Sequence, residues 1–328
     1  MAHIYVFSPA GAVADREAFK RGVQRLKAMG HELEIDANAL TVSQRFAGTD
    51  DQRVAAFERA AASQADLVLI SRGGYGITRI VDRLPYTAIK RSIARGTQWM
   101  GFSDFTAFQC GLWQSSAKAQ VSGKATLGQG SKGGQSSHHS TWAGLALAAD
   151  LGAPEPDDIT LACFEDVLNH QSEGTGWRVR QADRPIGVSG DAQLARSACL
   201  WGGNLSILTG LLGTPYFPNI HKGVLFLEDV GEHPYRVERM LSQLLWAGVL
   251  DVQQLIVLGQ FTQFQLHAFD RGFNMRKVVD WLRSKTRTPV LTGLPFGHVP
   301  TKVCLPFGAK VDVALQGQEA LVLWGEID

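Results

Sequence analysis

The chain has 328 residues, 45% of them hydrophobic, and its 32 Lys and Arg against 31 Asp and Glu leave a formal charge of +1. That apolar content suffices for one large core or two ordinary ones, and with so little net charge it excludes wholesale disorder. A nucleic-acid binder that works by counterion release needs a basic excess or stripe; this chain has neither, so no nucleic-acid partner is expected.

In chain order, residues 4–7 form a short apolar run turned by Ser8-Pro9-Ala10-Gly11. Residues 14–29 carry helical spacing through Phe19, Val23 and Leu26 and stop at Gly30. A weak strand at 33–35 and an Ala-rich helix at 50–65 follow, then a buried-strand run at 66–70. Arg72-Gly-Gly-Tyr-Gly76 is a tight loop, 77–84 a short helix, 98–102 a strand and 105–113 a helix. Strand and helix alternating at this length predict a parallel sheet with helices on its faces.

Residues 115–140 are polar and glycine-rich and read as a surface loop; the adjacent His138 and His139 in it are expected to be solvated rather than metal-bound. Residues 152–185 read as an indistinct linker. Beyond it come a helix from about 205 to 212, strands at 224–228, 255–259 and 290–294, and helices at 235–246 and 274–285. Three strand-like stretches, 303–305, 310–315 and 320–324, predict a closing β-meander. The division expected is an α/β domain over 1–151, a linker over 152–185, and a β/α domain over 186–328.

Cys110, Cys163, Cys199 and Cys304 are widely spaced, which argues against a zinc site and a disulfide framework and for free thiols in a reducing compartment. Asp15, Arg16 and Glu17 arrive too early for a signal peptide, so a cytoplasmic location is expected. The uncharged stretch 197–220 is broken by Gly202, Gly203, Gly213, Pro215 and Pro218, so no membrane span is expected.

Three turns could carry chemistry. Trp99-Met-Gly-Phe-Ser103-Asp104 places a serine between a strand and a helix, where Ser103 is either a nucleophile with backbone N–H groups around it or the cap of the next helix. Leu225-Phe-Leu-Glu228-Asp229 ends a strand in two carboxylates, which serve either a site or the N-terminus of the following helix. His298 follows Pro295-Phe-Gly297 at the end of another strand and is either a base or structural. The glycines of Arg72–Gly76 either bring amides to a ligand oxygen or make an ordinary turn; phosphate-loop and dinucleotide patterns are absent, so no cofactor is expected. The order Ser, Glu, His supplies the groups that acyl transfer needs, although order alone leaves their convergence open.

At these residues the chain resembles the LD-carboxypeptidase family, the serine peptidases also called muramoyltetrapeptide carboxypeptidases. The resemblance rests on Arg72-Gly-Gly-Tyr-Gly76 with Arg79, Gly101-Phe-Ser103-Asp104, Gly202-Gly-Asn-Leu205 and Gly213-Thr-Pro215. It continues through Leu225–Asp229 with Glu232, Tyr235 and Arg236, and Gly297-His298. It implies a nucleophile at Ser103, an acid at Glu228, a base at His298, and an oxyanion hole from the amides of Asp104 and Gly74. It also implies an N-terminal parallel-sheet α/β domain like the class I glutamine amidotransferases, a C-terminal β/α domain, and a homodimer. The implied activity is release of terminal D-alanine from murein tetrapeptide in cytoplasmic cell-wall recycling, with no metal. Arg72, Tyr75, Arg79 and Arg236 are the expected substrate contacts, and Arg239 and Lys302 are further cations for the terminal carboxylate. The chain departs from the family at 115–140, where relatives continue into a short apolar segment with a Gly-Pro turn. Two other readings are a sister peptidase that cleaves peptidyl-nucleotide antibiotics, with Trp201, Tyr216 or Phe217 as a base platform, and a non-catalytic binding module on the same scaffold.

Overall fold

The computed structural model describes residues 1–121 and 141–325. Two mixed α/β layers are built around two sheets. The first half runs β1 (His3–Phe7), α1 (Arg16–Ala28), β2 (Glu32–Ile35), α2 (Asp50–Ala62), β3 (Leu67–Ile70), α3 (Tyr86–Ala94), β4 (Gln98–Gly101), α4 (Phe105–Val121) and β5 (Thr141–Ala143). Then come α5 (Asp158–Leu168), β6 (Gly174–Arg178), β7 (Ala192–Asn204), α6 (Leu205–Gly210), β8 (Val224–Val230), α7 (Pro234–Trp246), β9 (Leu255–Thr262) and α8 (Met275–Lys285). The chain closes with β10 (Val290–Thr292), β11 (Leu305–Phe307), β12 (Lys310–Gln316) and β13 (Glu319–Leu323).

The first sheet has the order β11-β5-β4-β3-β1-β2, parallel except for β11, which pairs antiparallel with β5. Its central strands are apolar on both faces because both are covered. Tyr5, Phe7, Val68, Ile70 and Trp99 pack with Phe57, Phe105 and Phe108 on one face. Ile4, Val6, Leu67, Leu69 and Met100 meet Phe19, Leu26, Leu147 and Phe164 on the other. The helices start where local chemistry allows. Asp15 accepts from the Ala18 N–H at 2.8 Å at the start of α1, and Thr49 with Gln52 forms a capping box on α2.

The second sheet has the order β10-β9-β8-β7-β12-β13-β6. Strands β7 to β10 run parallel; β12, β13 and β6 are antiparallel. The aromatic and aliphatic core of this sheet is continuous with one face of the first.

Several local expectations change. The segment 77–84 is helical only over Ile77–Arg79, as a single 3₁₀ turn. Residues 115–121, expected in a loop, continue α4, whereas residues 122–140, with His138 and His139, lie outside the described residues. The stretch 152–185, expected as a linker, holds α5 and β6, and β6 is the edge of the second sheet. The closing meander is divided: β12 and β13 form a hairpin in the second sheet, but β11 crosses back to the first. Among the described residues, no helix is long and apolar enough to cross a membrane.

Candidate active site

Ser103 stands two residues beyond the end of β4 and has φ = +63°, a left-handed backbone that non-glycine residues adopt rarely and at a cost of about 1–2 kcal/mol. A capping serine sits in the extended region, so this conformation rules out the ordinary cap. Two tight hydrogen bonds close the turn, from Phe105 N–H to Phe102 O (3.2 Å) and from Thr106 N–H to Ser103 O (3.0 Å). The elbow rests on a rigid aromatic floor, with Phe105 and Phe108 rings 4.6 Å apart and Phe108 5.4 Å from Trp99. Ser103 is 8% exposed.

The loop after β3 leans on this elbow. A Cβ added to Gly73 would lie 2.7 Å from Ser103 Cβ and 2.9 Å from its Oγ, so only glycine lets the loop come this close. Gly74 beside it has φ = +101°.

His298 and Glu228 form a pair: Nδ1 lies 2.9 Å from Oε2, and Glu228 is fully buried. A carboxylate only accepts, so Nδ1–H donates and Nε2 is left to face other groups. The imidazole packs on Phe102, with ring centroids 4.9 Å apart, so the imidazole of this pair stands against the residue that precedes Ser103. The chain of Lys302 closes this side. Its ammonium pairs with Asp150 at 2.8 Å and lies 3.5 Å above the Phe102 ring, wholly buried.

Asn204 carries no role in the sequence reading and stands at the centre of the site. Its side-chain amide donates to Glu228 Oε1 (3.1 Å) and Asp229 Oδ1 (3.0 Å), and its backbone N–H donates to Thr106 Oγ1 on α4 (3.0 Å). It thereby joins the second sheet to the helix that follows Ser103. Gly203 makes this approach possible, since a Cβ there would fall 2.4 Å from Thr106 Oγ1. The signal was present in the run Gly202-Gly203-Asn204, two glycines before a polar residue at a strand end. Asp229 accepts from the Ser206 amide and hydroxyl, at 2.9 and 2.7 Å, and burial raises its carboxyl above the usual range.

Asp104 is buried, and its Oδ2 accepts from the Ile77 N–H at 2.7 Å. Burial pushes its carboxyl up to about 7, against the pull of that hydrogen bond and the Arg53 charge.

The expected substrate contacts separate. Arg72 Nη1 donates to Ala12 O (2.9 Å), and Nη2 lies 3.3 Å from where a Gly74 Cβ would stand. Tyr75 is exposed and tilts against Phe46, with Arg45 over its ring. Arg79 pairs with Asp50 (3.0 Å), and Arg236 pairs with Glu232 (3.7 Å) beside the Tyr235 ring. Arg239 is exposed on α7. Trp201 is fully buried and donates to Gln253 Oε1 at 3.1 Å, with Phe217 packed on it, so it offers no base platform. Among the described residues, no group of three His, Cys, Asp or Glu side chains could hold a metal ion.

The same architecture recurs in proteins of known fold. The chain aligns along nearly its whole length (99% of each chain) with a muramoyltetrapeptide carboxypeptidase from Oxalobacter formigenes, at a TM-score of 0.81 and 32% identity. A Streptomyces coelicolor protein named for carboxypeptidase activity is 32% identical over 318 residues, 95% of this chain and 90% of that one. The microcin C7 self-immunity protein of Escherichia coli is 25% identical over 336 residues, 93% of this chain and 88% of its own. Family models for the N-terminal and C-terminal domains of LD-carboxypeptidases match residues 4–123 and 197–313. With both halves matched in order, the chain belongs to the LD-carboxypeptidase family of peptidases.

Proposed function

We propose that this protein is a serine carboxypeptidase that cleaves the L,D-peptide bond releasing terminal D-alanine from murein tetrapeptide. The observation that carries the reading is Ser103, held at a positive φ where the first sheet ends, with the His298–Glu228 pair packed on its neighbour Phe102. Ser103 Oγ attacks the carbonyl between the L-centre and D-alanine, and its proton passes to His298 Nε2. Glu228 holds the imidazole tautomer and stabilises the imidazolium. The oxyanion is met by the amides of Asp104 and Gly74; among the described residues the Asp104 N–H has no backbone acceptor in the elbow. His298 then gives its proton to the leaving amine, and water activated by the same imidazole hydrolyses the acyl-enzyme.

For the terminal carboxylate we assign Arg72. Arg79, Arg236 and Lys302 each face a carboxylate already, whereas Arg72 lies alongside Gly74 and uses one nitrogen on a carbonyl. The small peptide substrate, the cytoplasmic setting in cell-wall recycling and a homodimer belong to this same reading. The self-immunity relative supports a second substrate class, a peptidyl nucleotide, for the same acyl chemistry. The test is mass spectrometry of products from murein tripeptide, tetrapeptide and pentapeptide and from a peptidyl nucleotide, with parent protein and Ser103→Ala. Loss of one D-alanine from tetrapeptide alone, abolished in Ser103→Ala, is the expected result. Release of D-alanine by Ser103→Ala at the parent rate ends the serine assignment.

A further inference from the structure

Arg53 and Asp104 meet across one peptide group. Arg53 Nη1 donates to Gly76 O at 2.7 Å and to Pro9 O at 3.2 Å, while the Ile77 N–H, from the same peptide as Gly76 O, donates to Asp104 Oδ2 at 2.7 Å. Both side chains are fully buried. Gly76 has φ = +148°, and a Cβ there would fall 2.8 Å from Arg53 Nη1, so the grip needs glycine. Arg53 is anchored in turn by its ion pair to Asp50 and by the Phe46 ring, 4.8 Å from its guanidinium.

Two buried polar atoms in this arrangement, Arg53 Nε and Asp104 Oδ1, have no hydrogen-bond partner; among the described residues only Gln109 Oε1 joins them. A buried cation and a buried carboxyl, each with an orphaned atom, cost stability that an apolar pair would not. Their geometry explains the retention. One grips the C=O side and the other the N–H side of a peptide that closes the Gly73–Gly76 loop, and Asp104 also supplies the amide that follows the nucleophile.

We infer that Arg53 and the Asp104 carboxylate are positioning residues: they clamp the Gly76–Ile77 peptide and so fix the Gly74 amide against the Asp104 amide. This rests on the serine acyl-transfer reading above. A donor misplaced by about 1 Å costs about 100-fold in rate, so losing half of the clamp should cost about 10- to 100-fold.

The test follows phosphonylation of Ser103 by a fluorophosphonate, together with kcat and KM for tetrapeptide cleavage and the thermal midpoint. Parent protein must label, and Ser103→Ala must not; failure there overturns the serine reading rather than the clamp. Asp104→Ala and Arg53→Met should each lower the labelling rate and kcat about 10- to 100-fold, with KM within about twofold of the parent, the pattern of a lost transition-state contact. Asp104→Asn, which keeps an oxygen to accept from Ile77, should recover most of that loss. Folded Asp104→Ala and Arg53→Met that label at the parent rate overturn the inference. So does Asp104→Asn falling as far as Asp104→Ala, because the clamp acts through the hydrogen bond to Ile77 and not through charge. If both truncations fail to fold, the pair is structural and the inference is equally overturned.

Discussion

Gly73→Ala is the sharpest single perturbation of Ser103, the proposed nucleophile. The added methyl would meet Ser103 Cβ at 2.7 Å, Ser103 Oγ at 2.9 Å and Phe102 O at 3.3 Å. Carbon atoms in good contact stand about 3.5–4.0 Å apart, so the serine or the loop must retreat by close to 1 Å. The elbow behind Ser103 is held by the Phe102–Phe105 and Ser103–Thr106 hydrogen bonds and the aromatic floor, so the displacement falls on the reacting group. A misplacement of that size costs about 100-fold, or about 2.7 kcal/mol of barrier. Overpacking should cost the fold about 1–3 kcal/mol. Gly73 is not at positive φ, so the change adds steric pressure without backbone strain. The assay is D-alanine release from tetrapeptide under saturating and limiting substrate, with a urea melt on the same sample. A folded Gly73→Ala enzyme with the parent kcat would show that Ser103 Oγ does not act from this position.

Further outcomes follow from the same contacts. Glu228→Gln keeps the shape of the carboxylate but turns an amide toward His298 Nδ1, and should lower kcat on the order of 10⁴-fold with little change in KM; parent-like turnover would remove Glu228 from the reaction. Lys302→Met strands Asp150 in the core and should cost about 3–5 kcal/mol by urea unfolding. The double variant Lys302→Met with Asp150→Asn, which keeps an acceptor for the Ala146 N–H, should recover at least half; a cost below about 1 kcal/mol for the single change would contradict a buried pair. Burial raises the Asp104 carboxyl from 3.8 to about 7 with Arg53 and Arg45 opposing, so the folded state holds this proton more tightly than the unfolded chain does. Its contribution is therefore full below about pH 4 and lost as the pH climbs to about 7, on the order of 4 kcal/mol. The thermal midpoint of the parent minus that of Asp104→Asn should fall across this window, and a flat difference would refute the assignment.

The parts of the fold that the sequence displayed are those whose local pattern and burial agree. Residues 67–70, Leu-Val-Leu-Ile, read as a covered strand and are one, and Gly30 marked the end of the first helix by its own chemistry. What stayed hidden depends on partners distant in the chain. Gly174-Thr-Gly-Trp-Arg178 has poor strand propensity and is a strand because β13 pairs with it from Glu319 to Leu323. Helix α3 begins just after Pro85, a residue that reads as a break and here occupies the cap. Thr141–Ala143 is three residues long and shows no periodicity at all. The site divides in the same way. Ser103, Glu228 and His298 were visible as polar residues at strand ends, but Asn204, Arg53 and Phe102 act through contacts with residues 23–196 positions away, which no local window contains.

The route of the chain explains why His298, carried by the second half, can pack on Phe102, the neighbour of Ser103 in the first. After β10 ends at Thr292 in the second sheet, the chain passes His298 and Lys302 and enters β11 in the first sheet, beside β5. Strand β5 pairs with β4 through Met100 and Trp142, and β4 ends two residues before Ser103. His298 is therefore tethered on one side by the second sheet and on the other by three adjacent strands of the first. Helix α5 tightens this strap: Thr160 Oγ1 donates to Pro300 O and accepts from the Lys302 N–H, and Thr301 donates to Asp157. From the other direction Asn204 ties Glu228 to Thr106 on α4. A hinge motion separating the halves would have to break a sheet ladder, a buried ion pair and these hydrogen bonds together. The placement of Glu228, His298 and Ser103 is thus set by strand pairing within a continuous core, not by the docking of two independent bodies.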